Sequence, residues 1–135
     1  MSDREGIVEE TTVPQDVVDA VLDRVREYDY VTFCEIENIL RDHGIDPRGN
    51  IALSFEELPN ICFWANMSEA MVATYDAIRP HTDMDSAHWL TYLSDGCVLR
   101  LPIAKQFRKG VGYKKPHWAP VCFRPKGRVP MGKRR

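Results

Sequence analysis

The chain changes character between Asp95 and Gly96. All twenty Asp and Glu residues lie at or before Asp95, together with six Arg, whereas Gly96 to Arg135 holds twelve Lys and Arg and no acid. The total charge of −2 therefore conceals two strongly and oppositely charged parts, and this partition constrains the fold more than any local pattern. What counts for an anionic partner is the local field, not the sum. Three arrangements answer such a field. The basic end folds back on the acidic part of its own chain or of a second copy, it docks on an acidic protein, or it neutralises phosphates. Four aromatics, Phe107, Tyr113, Trp118 and Phe123, run through the basic stretch. Cations mixed with rings suit a nucleic acid, because the cations meet phosphate while a ring stacks on a base or packs on sugar.

A length of 135 residues is that of one domain. We expect a leader over 1–11, a folded domain over 12–124 and a basic tail over 125–135. No apolar run approaches the roughly 18 residues that cross a bilayer, and the acidic start lacks the basic-then-apolar order of a secretory signal. The expected location is cytoplasmic. Cys34, Cys62, Cys97 and Cys122 never form a C-x-x-C pair, so buried reduced thiols are the expected state.

Within the acidic part the hydrophobic period is helical. Val17, Val18, Val21, Leu22 and Val25 form one stripe behind Pro14, with Thr12 and Gln15 at capping-box spacing, which predicts a helix over Pro14 to Glu27. After a short strand-prone step at Tyr30 to Thr32, a second capping box, Thr32 with Glu35, opens a helix from Phe33 to His43 that stops at Gly44. The period then shortens. Ile51 to Phe55 and Ile61 to Ala65 read as a hairpin, and Asn66 with Glu69 caps a third helix, whose stripe of Met67, Met71, Tyr75 and Ile78 ends at Arg79. His81 to Ser86 reads as a polar linker. Next, Ala87 to Leu93 and Cys97 to Leu101 flank Asp95-Gly96, the pair favoured at the centre of a type I′ hairpin turn. In that register Leu90, Tyr92, Leu99 and Leu101 share the core face, and Thr91 and Arg100 point away. One turn of helix from Ala104 to Lys109 and a last strand within Ala119 to Arg124 complete the expected elements.

Helix, short strand, helix, helix and two-stranded hairpin is the order of a winged helix-turn-helix domain, which the chain resembles from about Thr12 to Pro102. The expected fold class is therefore α+β of winged-helix type: three helices, a C-terminal β-hairpin wing and an inserted hairpin before the third helix. The segments Asn60 to Glu69 and Lys114 to Pro120 also resemble small archaeal proteins of halophilic lineages. The family resemblance implies DNA binding, with the third helix in the major groove and Arg100 as a wing contact. In this chain the third helix carries Glu69 and Asp76 against Arg79 alone, a balance that phosphates repel. The expected contacts move accordingly to the wing and the basic segment: Arg100, Lys105, Arg108, Lys109, Lys114, Lys115 and Arg124, with Trp118 as a stacking ring.

The expected function is that of a non-enzymatic DNA-binding protein, a transcriptional regulator acting on double-stranded DNA. The alternative is a protein-interaction module whose basic surface meets an acidic partner. A homodimer is compatible with either, and Phe63, Trp64, Met67 and Met71 form an apolar set that serves as core or as a dimer face. Catalytic patterns are missing. His81, Asp83, Asp85 and His88 match no zinc spacing, Gly110 and Gly112 do not make a phosphate loop, and no Cys is paired with a His. No cofactor or metal is expected.

Overall fold

The structure, a computed structural model, describes residues 12–56, 58–105 and 112–127. Helix α1 (Gln15–Tyr28) buries Val17, Val18, Val21 and Val25, the stripe expected from the sequence. It ends at Asp29, which adopts a left-handed conformation, φ 54°, and donates its amide to Val25 O. Strand β1 (Val31–Thr32) leads directly into α2 (Phe33–Asp42). Thr32 Oγ1 accepts from the Glu35 amide at 3.2 Å, one half of the expected capping box and worth about 1 kcal/mol.

The inserted hairpin is present. Strands β2 (Arg48–Ser54) and β3 (Ile61–Met67) pair antiparallel with irregular register, and Gly49 lies against the backbone of Met67 where a Cβ would clash. Helix α3 (Glu69–Ile78) is capped by Ser68, not Asn66, since Ser68 Oγ accepts from the Met71 amide at 3.1 Å. Phe63, Trp64, Met67 and Met71 are all buried, so the apolar set is core.

Two expectations fail after α3. The segment read as a polar linker is strand β4 (Thr82–Ser86), and the segment read as a wing is helix α4 (Trp89–Asp95). The Asp-Gly pair misleads because Gly96 takes its positive φ, 103°, as a helix C-cap instead of within a hairpin turn. The amides of Gly96 and Cys97 both return to Tyr92 O, and this closes the helix. Long-range contacts hold the helical alternative. The Tyr92 hydroxyl donates to Val121 O at 2.6 Å and accepts from the Phe33 amide at 3.1 Å, and Thr32 Oγ1 donates to Asp95 at 2.7 Å. The disulfide Cys34–Cys97 joins the start of α2 to the residue after the cap, which corrects the expectation of thiols at those two positions; Cys62 and Cys122 remain buried thiols. Ala104 and Lys105 are not helical, and the remainder of the turn expected there falls outside the described residues.

Strands β5 (His117–Trp118) and β6 (Val121–Pro125) complete two three-stranded sheets, ordered β1-β6-β4 and β2-β3-β5. The fold class is thus α+β, with four α-helices and two small sheets among the described residues. The hairpin expected as a C-terminal wing is not formed. The sheets meet through rings contributed by five elements. Phe33 stacks on Trp64 (5.7 Å between centroids) and meets Phe123 edge-on (5.0 Å), while Tyr92 packs on Trp64 (5.1 Å) and edge-on against Trp118 (5.0 Å). No described helix is long and apolar enough to cross a membrane.

Candidate nucleic-acid interface

The residues expected to meet phosphate separate into two groups once the chain is folded. Arg124 lies on β6, the central strand of its sheet, and is 2% exposed. Its Nε and Nη2 donate to the two carboxylate oxygens of Asp29 at 3.2 and 3.3 Å, a fork geometry, while Nη1 donates to Asp85 at 3.4 Å. Those hydrogen bonds to Asp29 raise the pKa of the guanidinium still further, against the opposing effect of burial. The left-handed turn at Asp29 brings one carboxylate to the site, and the antiparallel pairing of β4 with β6 brings the other. Trp118 is 1% exposed, and its Nε1 donates to Phe63 O at 3.3 Å. Both side chains belong to the interior. The fold-back arrangement describes β6: Asp85 pairs with Arg124, and Asp83 accepts from the Gly127 amide at 2.8 Å.

Arg100, Lys105, Lys114 and Lys115 form the second group. All four are exposed, and none forms an ion pair with a described acid. Four of the five described arginines of the acidic part contrast with them: Arg24 pairs with Glu35, Arg26 with Asp23, and both Arg41 and Arg48 with buried Glu37, whereas Arg79 donates to Thr82 O. Lys114 and Lys115 sit on a clamped turn. The Tyr113 amide donates to Pro59 O at 3.0 Å, Asn60 Nδ2 donates to Tyr113 O at 2.8 Å, and the Tyr113 ring stacks on His117 at 3.7 Å. Gly112, at φ 59°, abuts the Pro59 backbone so closely that no side chain fits. Two lysines are thereby held on a fixed backbone, which reduces the entropy lost on meeting a partner.

Arg100 and Lys115 each precede the parallel bridge between Ile103 and Trp118 by three residues, so they leave it at the same end. Lys105 follows that bridge, next to Ala104, whose amide donates to Trp118 O at 2.8 Å. It therefore emerges at the other end. Arg108 and Lys109 lie outside the described residues. On α3, Glu69 and Asp76 are exposed while Met71, Thr74 and Ile78 face inward. This side of the molecule is unfavourable to phosphate.

Among the described residues, no group of three or more His, Cys, Asp or Glu is placed to hold a metal. Burial pushes the Cys122 thiol up to about 12 and also raises that of Cys62, so neither is a ready nucleophile. Family models, curated proteins and solved structures yield no match to this chain.

Sequence reasoning missed the Asp29–Arg124–Asp85 cluster and the disulfide. A signal for the first exists: in Thr82-Asp83-Met84-Asp85-Ser86 the acids alternate with Met84, a strand period whose natural complement is an acid-free strand.

Proposed function

We propose that the protein is a non-enzymatic DNA-binding protein, a transcriptional regulator that grips the backbone of double-stranded DNA through Arg100, Lys105, Lys114 and Lys115. Arg108 and Lys109, which lie between these in sequence, extend the same basic stretch. The observation that carries this reading is the contrast in pairing: these four cations are exposed and form no ion pair with a described acid, while Arg124 and four of the five described arginines of the acidic part, all but Arg79, are matched. Arg124 and Trp118 drop out of the contact set. The wing of the winged-helix reading is not formed, so the contacts are carried by the turns on either side of the Ile103–Trp118 bridge. With the α3 surface acidic, the reading favours backbone attraction over base readout.

Fluorescence anisotropy on a short duplex tests it. Four phosphate contacts give a log–log salt slope near −3.6, so affinity falls by about 10²-fold between about 50 and 200 mM salt. Replacing Arg100, Lys105, Lys114 and Lys115 together by Gln should remove binding and its salt dependence. Tight binding with a flat salt response would overturn the proposal. Substitution is preferable to deletion, since removing the chain from Lys105 onward also removes the central strand β6.

A second reading has its own support. Helix α4 exposes Trp89 (40%), Leu90 (50%) and Leu93 (54%), an apolar face that suits a protein partner or a second copy of the chain. Sedimentation across a concentration range separates self-association from the DNA-binding reading.

A further inference from the structure

A cavity of about 630 Å³ opens between the end of β4, the start of α4, the segment around Ile103 and the turn joining β5 to β6. Its size falls within the range of small-molecule sites. Most of its wall is apolar, including Phe55, Met84, Ile103 and Val121, and Trp89 adds a partly exposed indole. The ionisable groups among the described lining residues are Asp85, His88 and Lys105.

These three groups are not equivalent. Asp85 is engaged by Arg124, its Oδ2 accepting from Nη1 at 3.4 Å, so its charge is matched from the interior. Lys105 is exposed and forms no ion pair with a described acid. His88 is the N-cap of α4, and its Nδ1 accepts from the Leu90 amide at 3.2 Å. A ring nitrogen that accepts carries no proton, so the hydrogen of the neutral ring is on Nε2, which is left as a donor. The His88 ring also stacks beside the Trp89 indole, at 6.2 Å and 26°. The cavity thus joins apolar walls and a flat indole with one unmatched cation and one imidazole N–H.

We propose that this cavity binds a small organic anion with a flat apolar body, such as an aromatic carboxylate. The carboxylate meets Lys105 and His88 Nε2, and the body lies against Trp89 and the apolar wall. A cation is disfavoured because the only carboxylate among the described lining residues, Asp85, is already paired, and a neutral apolar molecule leaves the ammonium without a partner. The site stands apart from the proposed DNA contacts except for Lys105, which belongs to both, so ligand and DNA would compete for that side chain.

The test is a titration of the intact protein, without nucleic acid, by benzoate and by benzyl alcohol, its uncharged counterpart in shape. Two-dimensional amide spectra and the Trp89 indole signal report binding. A probe this small binds with a dissociation constant on the order of 1 mM. Benzoate is expected to shift the Ala87–Trp89, Ile103–Lys105 and Ala119–Val121 signals and to bind at least tenfold more tightly than benzyl alcohol. Lys105→Met should remove that preference, and Lys105→Glu should transfer it to benzylamine. Lys105 is exposed, so the fold survives either change, and an unchanged melting temperature verifies this. Absence of shifts up to about 20 mM, some twentyfold above the expected constant, would overturn the site. Equal binding of benzoate and benzyl alcohol, or an unaltered preference in Lys105→Met, would overturn the anion. Because no DNA is present, either failure leaves the DNA-binding proposal untouched.

Discussion

Replacing Arg124 by Met separates its two candidate roles, as a backbone contact for DNA and as the counter-charge of the interior. The side chain is 2% exposed and makes three charge-assisted hydrogen bonds to Asp29 and Asp85, whose side chains are 25% and 16% exposed. Removing one member of a buried pair costs about 3–5 kcal/mol, because the remaining charge is left without compensation. Here both remaining carboxylates keep some contact with water, which places the loss near the lower end, about 3 kcal/mol. Unfolding entropy scales with length, and for a chain of this size that loss lowers the melting midpoint by roughly 10 °C. Circular dichroism melts of wild type, Arg124→Met and Arg124→Met/Asp29→Asn provide the measurement. The double variant should recover part of the loss, since Asn tolerates the left-handed backbone at position 29 and removes one stranded charge. Anisotropy on DNA completes the experiment. A variant that melts with the wild type but loses DNA affinity would refute the reasoning and return Arg124 to the contact surface.

Two further predictions concern the α2–α4 junction. Cys34 and Cys97 are separated by 63 residues, and closing a loop of that length contributes about 4 kcal/mol through the entropy of the unfolded chain. Reduction, or Cys97→Ser, should therefore lower the urea midpoint markedly, whereas equal midpoints for oxidised and reduced protein would show that the crosslink constrains nothing. Burial, reinforced by Asp95 and partly opposed by Arg24, raises the pKa of Glu35, and its Oε1 has no partner among the described residues. A carboxyl whose folded pKa is raised contributes stability below its ordinary value of 4.5 and loses it as pH rises through the folded value. Glu35→Gln should thus stabilise the protein at pH 7 and lose that advantage near pH 4 in urea titrations; an advantage that grows in acid would refute the assignment.

The parts of the fold that sequence made legible are those whose stabilisation is local. The valine stripe of α1, the Thr32 cap and the two apolar runs of the inserted hairpin each carry a pattern within a few residues, and each forms where expected. The errors arise where distant partners choose between two local possibilities. Asp95-Gly96 serves a hairpin turn or a helix stop equally well, and Tyr92 decides it by bonding to Phe33 and Val121. The acid-rich stretch before Ala87 reads as linker because its complement, Arg124, is far along the chain. At the site the same distinction applies. Charge partition identified where cations concentrate, but which of them are exposed depends on β6 lying between β1 and β4. Trp118, chosen from its basic neighbours, faces the other rings of the core because β5 pairs with β3.

The central place of β6 also sets the order of events during synthesis. The ribosome delivers β1 and β4 before Val121–Pro125, and until that strand emerges both lack their pairing partner, and Asp29 and Asp85 lack Arg124. No shorter nascent chain can close the β1-β6-β4 sheet. A premature stop anywhere before Val121 thus yields not a smaller version of the same fold but a chain whose β1 and β4 have no strand to pair with.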